Sequence, residues 1–179
     1  MAQERDRLRE RIRAEARAGD WWSLWPAFVR SRATLLERLA VFAGAEAAWR
    51  PGAGEGESAW SAAEVARHVL AYSRNVGAII EATAAGRTEP KDPPGTLIEP
   101  TAMPFDETVR AVTRASVTLA SLPERLPAAP NLETTVPHAF FGPLNCREWY
   151  VFLWLHDTDH AAQLERLREL PGFPRASPR

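Results

Sequence analysis

Residues 145–170 read NCREWYVFLWLHDTDHAAQLERLREL, and this stretch carries the clearest structural signal in the chain. Asn145, followed three positions later by Glu148, forms a capping box, which marks the first turn of a helix. After it, residues of the same face recur at steps of three and four, as they do on one side of a helix. That face carries two histidines among apolar side chains: Trp149, Phe152, Leu153, His156, His160, Leu164 and Leu167. The stretch therefore predicts a long helix with one side directed at a core.

Four earlier segments show the same periodicity, at residues 3–18, 23–42, 61–79 and 104–122. The first is mostly charged and has a thin apolar stripe, as expected of an edge helix or a solvated arm. The second has a longer stripe, which is long enough to line a bundle. We assign that stripe to Leu24, Phe28, Ser31, Leu35, Leu39 and Phe42.

The segments between these helices have the composition of loops. Ser61 and Glu64 form a second capping box after a glycine-rich loop, and proline-containing connections follow at 86–103 and 123–144. No part of the chain has a convincing alternating strand pattern. We therefore predict an all-α fold, a four-helix bundle with an additional N-terminal helix. The 123–144 connection is long enough for part of it to cover a site.

Composition limits the classes of function. The chain has 179 residues, 45% of them hydrophobic, which suits one globular domain with a sizeable core. Its formal net charge of −1 gives no basic field for phosphate backbones, so we expect no nucleic-acid partner. The single cysteine excludes an intrachain disulfide, and we see neither a secretory signal nor an apolar run long enough for a membrane span. We expect a soluble, cytoplasmic protein with no membrane partner.

Three histidines on inward helix faces predict a metal site. His156 and His160 are four residues apart, so their rings are stacked one turn over another and can converge on one ion. A third ligand must come from another helix, and His68 lies on the inward stripe of the helix that follows Ser61. Three neutral imidazoles leave an ion at least one open coordination position, as in catalytic zinc sites. The alternative is a buried polar triad without a ligand, satisfied by carboxylates and backbone.

Two segments of the sequence resemble those of a known family. WSAAEVARHVL at 60–70 and HDTDHAAQL at 156–164 resemble the DinB-like family of four-helix bundles, and the resemblance covers about residues 22–170. That family is related to S-transferases that use bacillithiol or mycothiol and to mycothiol-dependent maleylpyruvate isomerase. The resemblance implies that His68, His156 and His160 are facial ligands of a divalent transition metal, with nickel, zinc, iron or manganese found in relatives.

The resemblance also suggests how the chain is divided. Residues 21–172 would form the DinB-like four-helix bundle domain, preceded by an N-terminal helical extension at 1–20 and followed by a tail at 173–179. The extension is an addition to the family pattern. His138, in the connection before the last helix, is a further departure from it.

Three more residues are candidates for supporting or pocket roles. Glu64 lies one turn before His68 and could orient its ring, although its capping role explains it adequately. Gln163 lies one turn beyond His160 and could donate a hydrogen bond near the ion, but we expect a solvated flank. His138 could reach the open face of the site, but we expect a loop histidine beside a proline to be exposed. Cys146 lies nearly three turns from His156, roughly 15 Å, so we expect no catalytic role for it.

We therefore hypothesise a metal-dependent enzyme that transfers a low-molecular-weight thiol, the expected cosubstrate, to a small electrophile. A metal-dependent hydrolase at the same ion is one alternative. A non-enzymatic, metal-stabilised binding or dimerisation module is another. We expect a small-molecule substrate, and the dense aromatic cluster of Trp21, Trp22 and Trp25 suggests a homodimer contact.

Overall fold

Side-chain caps determine where the principal helices begin. In a computed structural model that describes residues 2–52, 56–88 and 103–175, the capping boxes at Ser61 and at Asn145 are both present. A third box, in which Asp20 accepts from the Ser23 backbone N–H, starts the second helix two residues earlier than the sequence suggested. The helices are α1 Ala2–Ala18, α2 Trp21–Ala40, α3 Gly44–Ala48, α4 Ala62–Ala84, α5 Phe105–Ala120, α6 Leu122–Arg125 and α7 Cys146–Glu169.

Four long helices, α2, α4, α5 and α7, form the bundle, and the predicted all-α architecture is confirmed. The additional helix α1 packs against α7, with Ile12 and Ala16 buried in the core. Much of the loop predicted at 86–103 lies outside the described residues. Among the helices that the structure describes, none is both long and apolar enough to cross a membrane.

The connection before α7 differs from its prediction. It contains a short antiparallel hairpin, β1 Thr135–His138 with β2 Gly142–Asn145, in which His138 is opposite Gly142. Gly142 has a φ of 71°, a left-handed conformation that glycine adopts without strain, and it returns the chain into β2. The sequence did not predict this hairpin because each strand has only four residues and contains a proline. The hairpin places one face of β1 against the bundle.

The inward stripe of α2 contains a charged residue that the sequence assignment missed. Arg32, and not Ser31, points inward, and its side chain is 4% exposed. Its Nε and Nη2 donate to the two carboxylate oxygens of Asp157 on α7, at 2.7 and 3.0 Å. Its Nη1 donates to Ser73 on α4 and to Ser116 on α5, at 2.8 and 3.1 Å. One guanidinium thus joins all four bundle helices.

The tryptophan cluster at the start of α2 is largely used within the chain. Trp21 is buried and its indole N–H donates to the Pro127 carbonyl, while Trp25 donates to the Ala120 carbonyl. Trp22 alone of the three is strongly exposed, at 56%. The homodimer stays a prediction, and it now rests on one exposed tryptophan.

Removal of the Arg32 guanidinium should destabilise the bundle severely. Arg32→Met leaves the fully buried Asp157 carboxylate without its partner, and loss of one member of a buried ion pair costs about 3–5 kcal/mol. Urea unfolding followed by circular dichroism measures this loss.

Arg110→Met is the matched control, because Arg110 pairs with Asp106 at 2.9 Å on the exposed face of α5. We expect it to cost less than about 0.5 kcal/mol. Equal losses in the two variants would show that the buried network contributes no more than a surface pair.

Candidate metal centre

Two helices bring the three predicted histidines together. His68 is on the inward stripe of α4, two turns after the Ser61 cap, and His156 and His160 are on successive turns of α7. The Nε2 atom of His156 lies 2.8 Å from that of His68 and 3.2 Å from that of His160. His68 and His160 are buried, and the side chain of His156 is 9% exposed. The three rings form a cluster that could hold a metal ion.

A shared metal ion would satisfy the three nitrogens better than hydrogen bonds between the rings. Two nitrogens bound to one zinc ion at about 2.0–2.1 Å and a tetrahedral angle are roughly 3.3 Å apart, and a right angle brings them to roughly 2.9 Å. The separations of 2.8 and 3.2 Å approach these values. The Nε2 of His156 carries one proton or one lone pair, so it cannot satisfy both neighbouring rings by hydrogen bonds. A shared cation satisfies all three lone pairs at once.

Gln163 determines which nitrogen of His160 carries the proton. The Gln163 side-chain amide donates to the Glu57 backbone carbonyl, which can only accept, so the amide oxygen must face His160. That oxygen lies 2.7 Å from His160 Nδ1 and requires a proton there. In the neutral ring, which is the form that binds a metal, the lone pair of His160 is therefore on Nε2, the atom in the cluster. Gln163 is half-buried and contacts a histidine of the cluster, so the expectation of a solvated flank was wrong.

The His156 ring is held neutral by its surroundings. Burial lowers its pKa well below the usual value, and the neighbouring His160, His68 and Arg32 lower the pKa further. A neutral imidazole is the form that binds a metal. Its Nδ1 is buried without a hydrogen-bond partner among the described residues, because the oxygen of Asp157 is 3.9 Å away. Three imidazole nitrogens are nevertheless a donor set that fits a divalent transition metal.

Glu64 lies at the cap of α4, where its carboxylate is occupied. Its Oε2 accepts from the backbone N–H and the hydroxyl of Ser61, at 2.9 and 3.0 Å. The same oxygen is 3.2 Å from Arg50 Nε. The hydrophobic partner of this cap, Trp60, is also near the site, with its ring 4.9 Å from that of His68. The cap therefore fixes the start of the helix that carries His68.

His138 is buried and not solvent-exposed, so the sequence expectation was wrong. His138 lies on β1 and is 5% exposed, because the hairpin packs its ring against those of Phe152 and Phe141. Its Nε2 lies 3.1 Å from the hydroxyl of Tyr72, whose ring stacks on that of His156 at 4.2 Å. Burial lowers the pKa of His138 to about 4. The only feature of the sequence that indicated this burial was the pair of aromatic residues Phe140 and Phe141, which follow His138 closely.

A cavity of about 440 Å³ opens beside the histidine cluster. His68, His156 and His160 all line it, so an ion held by them would be accessible from the cavity. The remaining walls are mainly aromatic and apolar, and α1 contributes part of them. They include Leu8, Arg11, Tyr72, His138, Phe141 and Phe152. A larger hollow of about 1020 Å³ lies at the C-terminal turns of α2 and α7 and contains no histidine.

Cys146 is part of neither the histidine cluster nor the lining of the cavity beside it. It is fully buried in the first turn of α7, and its thiol donates to the Asn131 carbonyl. Burial raises the pKa of this thiol to about 11, so it stays protonated at neutral pH. The expectation that it takes no part in catalysis remains a prediction.

The fold and the site place this protein in a general class: it is a helical bundle with a three-histidine cluster that could hold a metal ion. A comparison with protein families matches residues 27–164 to the DinB superfamily. Because this match covers most of the chain, the protein belongs to the DinB superfamily. A search of curated proteins finds no match. A search of solved structures finds none either.

Metal analysis should detect an ion that depends on the cluster. Protein purified without a metal-binding tag and incubated with zinc, nickel, iron or manganese should hold close to one equivalent by mass spectrometry. His156→Ala should hold almost none, because it removes the shared ligand between the other two rings.

His138→Asn is the matched control, since it removes a histidine of the same cavity that lies outside the cluster, and it should keep its metal. Gln163→Leu should weaken metal affinity roughly 10- to 100-fold, the usual cost of losing a group that orients a ligand. Equal metal content in His156→Ala and wild type would exclude the site.

Metal-free protein should lose stability in acid because of His138. Its pKa falls from 6.5 in the unfolded chain to about 4 in the fold, so the unfolded chain binds the proton first and stability declines as the pH falls from 6.5 towards 4. Between pH 7.5 and 5.0 this group should contribute a loss of about 2 kcal/mol. Urea unfolding of wild type and His138→Asn at both pH values measures it. A pH dependence that is the same in both proteins would contradict the assignment.

Proposed function

We propose that this protein is a metal-dependent thiol S-transferase. His68, His156 and His160 would hold a divalent transition metal, and the cavity beside them would take a small electrophile. The observation that carries the proposal is the convergence of three imidazole nitrogens on one point that the cavity reaches. The relationship of the DinB superfamily to thiol transferases supports the choice of reaction.

The cavity offers no activated protein nucleophile among the residues described as lining it. Its lining contains neither cysteine, serine nor lysine, and the hydroxyl of Thr158, which does line it, donates to the Trp154 carbonyl. The nucleophile would therefore come from outside the chain. When bound, the ion would supply a positive charge that favours the thiolate of a low-molecular-weight thiol at neutral pH.

The chain's own residues would orient the ligands and exclude water. Gln163 holds His160 with its lone pair inward, and Tyr72 packs flat on His156. Phe141 and Phe152 give the cavity a low-polarity wall, in which charge interactions are stronger than in water. Hydrolysis at the same ion would need the same cluster, so experiment must separate the two reactions.

The proposal predicts metal-dependent conjugation. Protein loaded with each metal is mixed with bacillithiol or mycothiol and with monochlorobimane, whose carbon–chlorine bond is replaced by a carbon–sulfur bond while chloride and a proton are released. We expect the metal-loaded wild type to accelerate the reaction on the order of a hundredfold over His156→Ala, the size of a Lewis-acid contribution. Fluorescence of the conjugate gives the rate.

Two controls distinguish the alternatives. Hydrolysis of 4-nitrophenyl acetate by loaded protein that transfers no thiol would favour a hydrolase. A large fall in melting temperature on chelation, together with no activity, would favour a metal-stabilised module, since metal-binding free energy then becomes folding free energy.

A further inference from the structure

The wall of the cavity contains a further histidine, His138, which is not one of the three candidate metal ligands. His138 on β1 and Tyr72 on α4 meet at 3.1 Å between the imidazole Nε2 and the phenolic oxygen. Both residues line the cavity that also reaches the three clustered histidines. Both are buried, so their hydrogen bonds are protected from competing water. The pair is therefore positioned to act on a molecule inside the cavity.

The backbone decides which nitrogen of His138 carries the proton. The Phe140 backbone N–H donates to His138 Nδ1 at 3.1 Å, and a backbone N–H can only donate. Nδ1 must therefore hold a lone pair, and in a neutral ring the proton is then on Nε2. Burial keeps the ring neutral, because it lowers the pKa to about 4. His138 consequently donates from Nε2 to the oxygen of Tyr72.

This arrangement leaves the Tyr72 proton available. A tyrosine hydroxyl has one proton, and that proton cannot point at His138 when His138 is itself the donor. Among the residues that the structure describes, His138 is the only hydrogen-bond partner of the Tyr72 hydroxyl. A buried donor without an acceptor is costly, so an acceptor from a bound molecule would complete the group.

We propose that Tyr72 donates a hydrogen bond to an oxygen of the bound substrate, and that His138 is the positioning residue that fixes the direction of this donor. The ligand class is a small molecule with an aromatic or alkyl body and a carbonyl-type oxygen. The body matches the walls formed by Phe141 and Phe152, and the oxygen matches the Tyr72 hydroxyl as donor. The assignment deepens the proposed function and rests on it for the identity of the cavity as the substrate site.

The test uses metal-free protein and two planar molecules of nearly equal shape. Acetophenone carries a carbonyl oxygen, and α-methylstyrene has a methylene group in its place. Ligand-observed NMR gives the dissociation constant of each for wild type and for Tyr72→Phe, which removes only the hydroxyl. We expect Tyr72→Phe to bind acetophenone roughly fivefold to tenfold more weakly and α-methylstyrene equally well.

Unchanged acetophenone affinity in Tyr72→Phe would overturn the proposal, and so would an equal loss of affinity for acetophenone and for α-methylstyrene. Retained α-methylstyrene binding excludes misfolding of the variant. Because no metal is present, the result does not depend on whether the ion or the thiol chemistry is correct.

The tautomer can be tested independently of any ligand. Nitrogen-15 NMR of histidine-labelled protein at pH 7 should show His138 with a protonated Nε2 and a bare Nδ1, and the signal is assigned by its absence from His138→Asn. The opposite tautomer would overturn the positioning role, because His138 would then accept the Tyr72 proton.

Discussion

The buried ion pair between Arg32 and Asp157 is the interaction on which the rest of the bundle depends. Two charges removed from water are tolerated only when their hydrogen bonds are nearly complete, and here the guanidinium reaches the carboxylate and two serines on the other helices. Burial raises the pKa of the Asp157 carboxyl, and the charge of Arg32 opposes that shift. Because Asp157 directly follows His156 in α7, the same network fixes the helical turn that carries the histidine cluster.

In the candidate site, hydrogen bonds with the backbone determine the tautomers of two histidines. Each of two histidines has its tautomer set by a backbone group: the Glu57 carbonyl acts on His160 through Gln163, and the Phe140 N–H acts directly on His138. A backbone group has a fixed polarity, so it determines which ring nitrogen carries the proton. The consequence differs between the two rings, because His160 turns a lone pair inward and His138 turns a proton inward. One cavity thus contains both nitrogen lone pairs that can bind a cation and the hydrogen-bond donors His138 and Tyr72.

Local signals predicted the helices well, and the exceptions have physical causes. The boxes at Ser61 and Asn145 were identified because a cap depends on residues three positions apart. The stripe of α2 was misassigned at one position, since Ser31 and Arg32 both fit the spacing and only a buried acid on another helix favours the arginine. His138 was expected in solvent because its strand is too short to recognise, and its burial depends on packing against α7.

The sequence by itself determined the helical class, the capped starts of α4 and α7, and the inward direction of His68, His156 and His160. These follow from periodicity and capping, which act within one or two turns. Only the tertiary structure decided that the three imidazole nitrogens converge, that Arg32 pairs with Asp157 and that His138 meets Tyr72. Those partners are 88, 125 and 66 residues apart, so their contact depends on how whole helices pack and not on any local propensity.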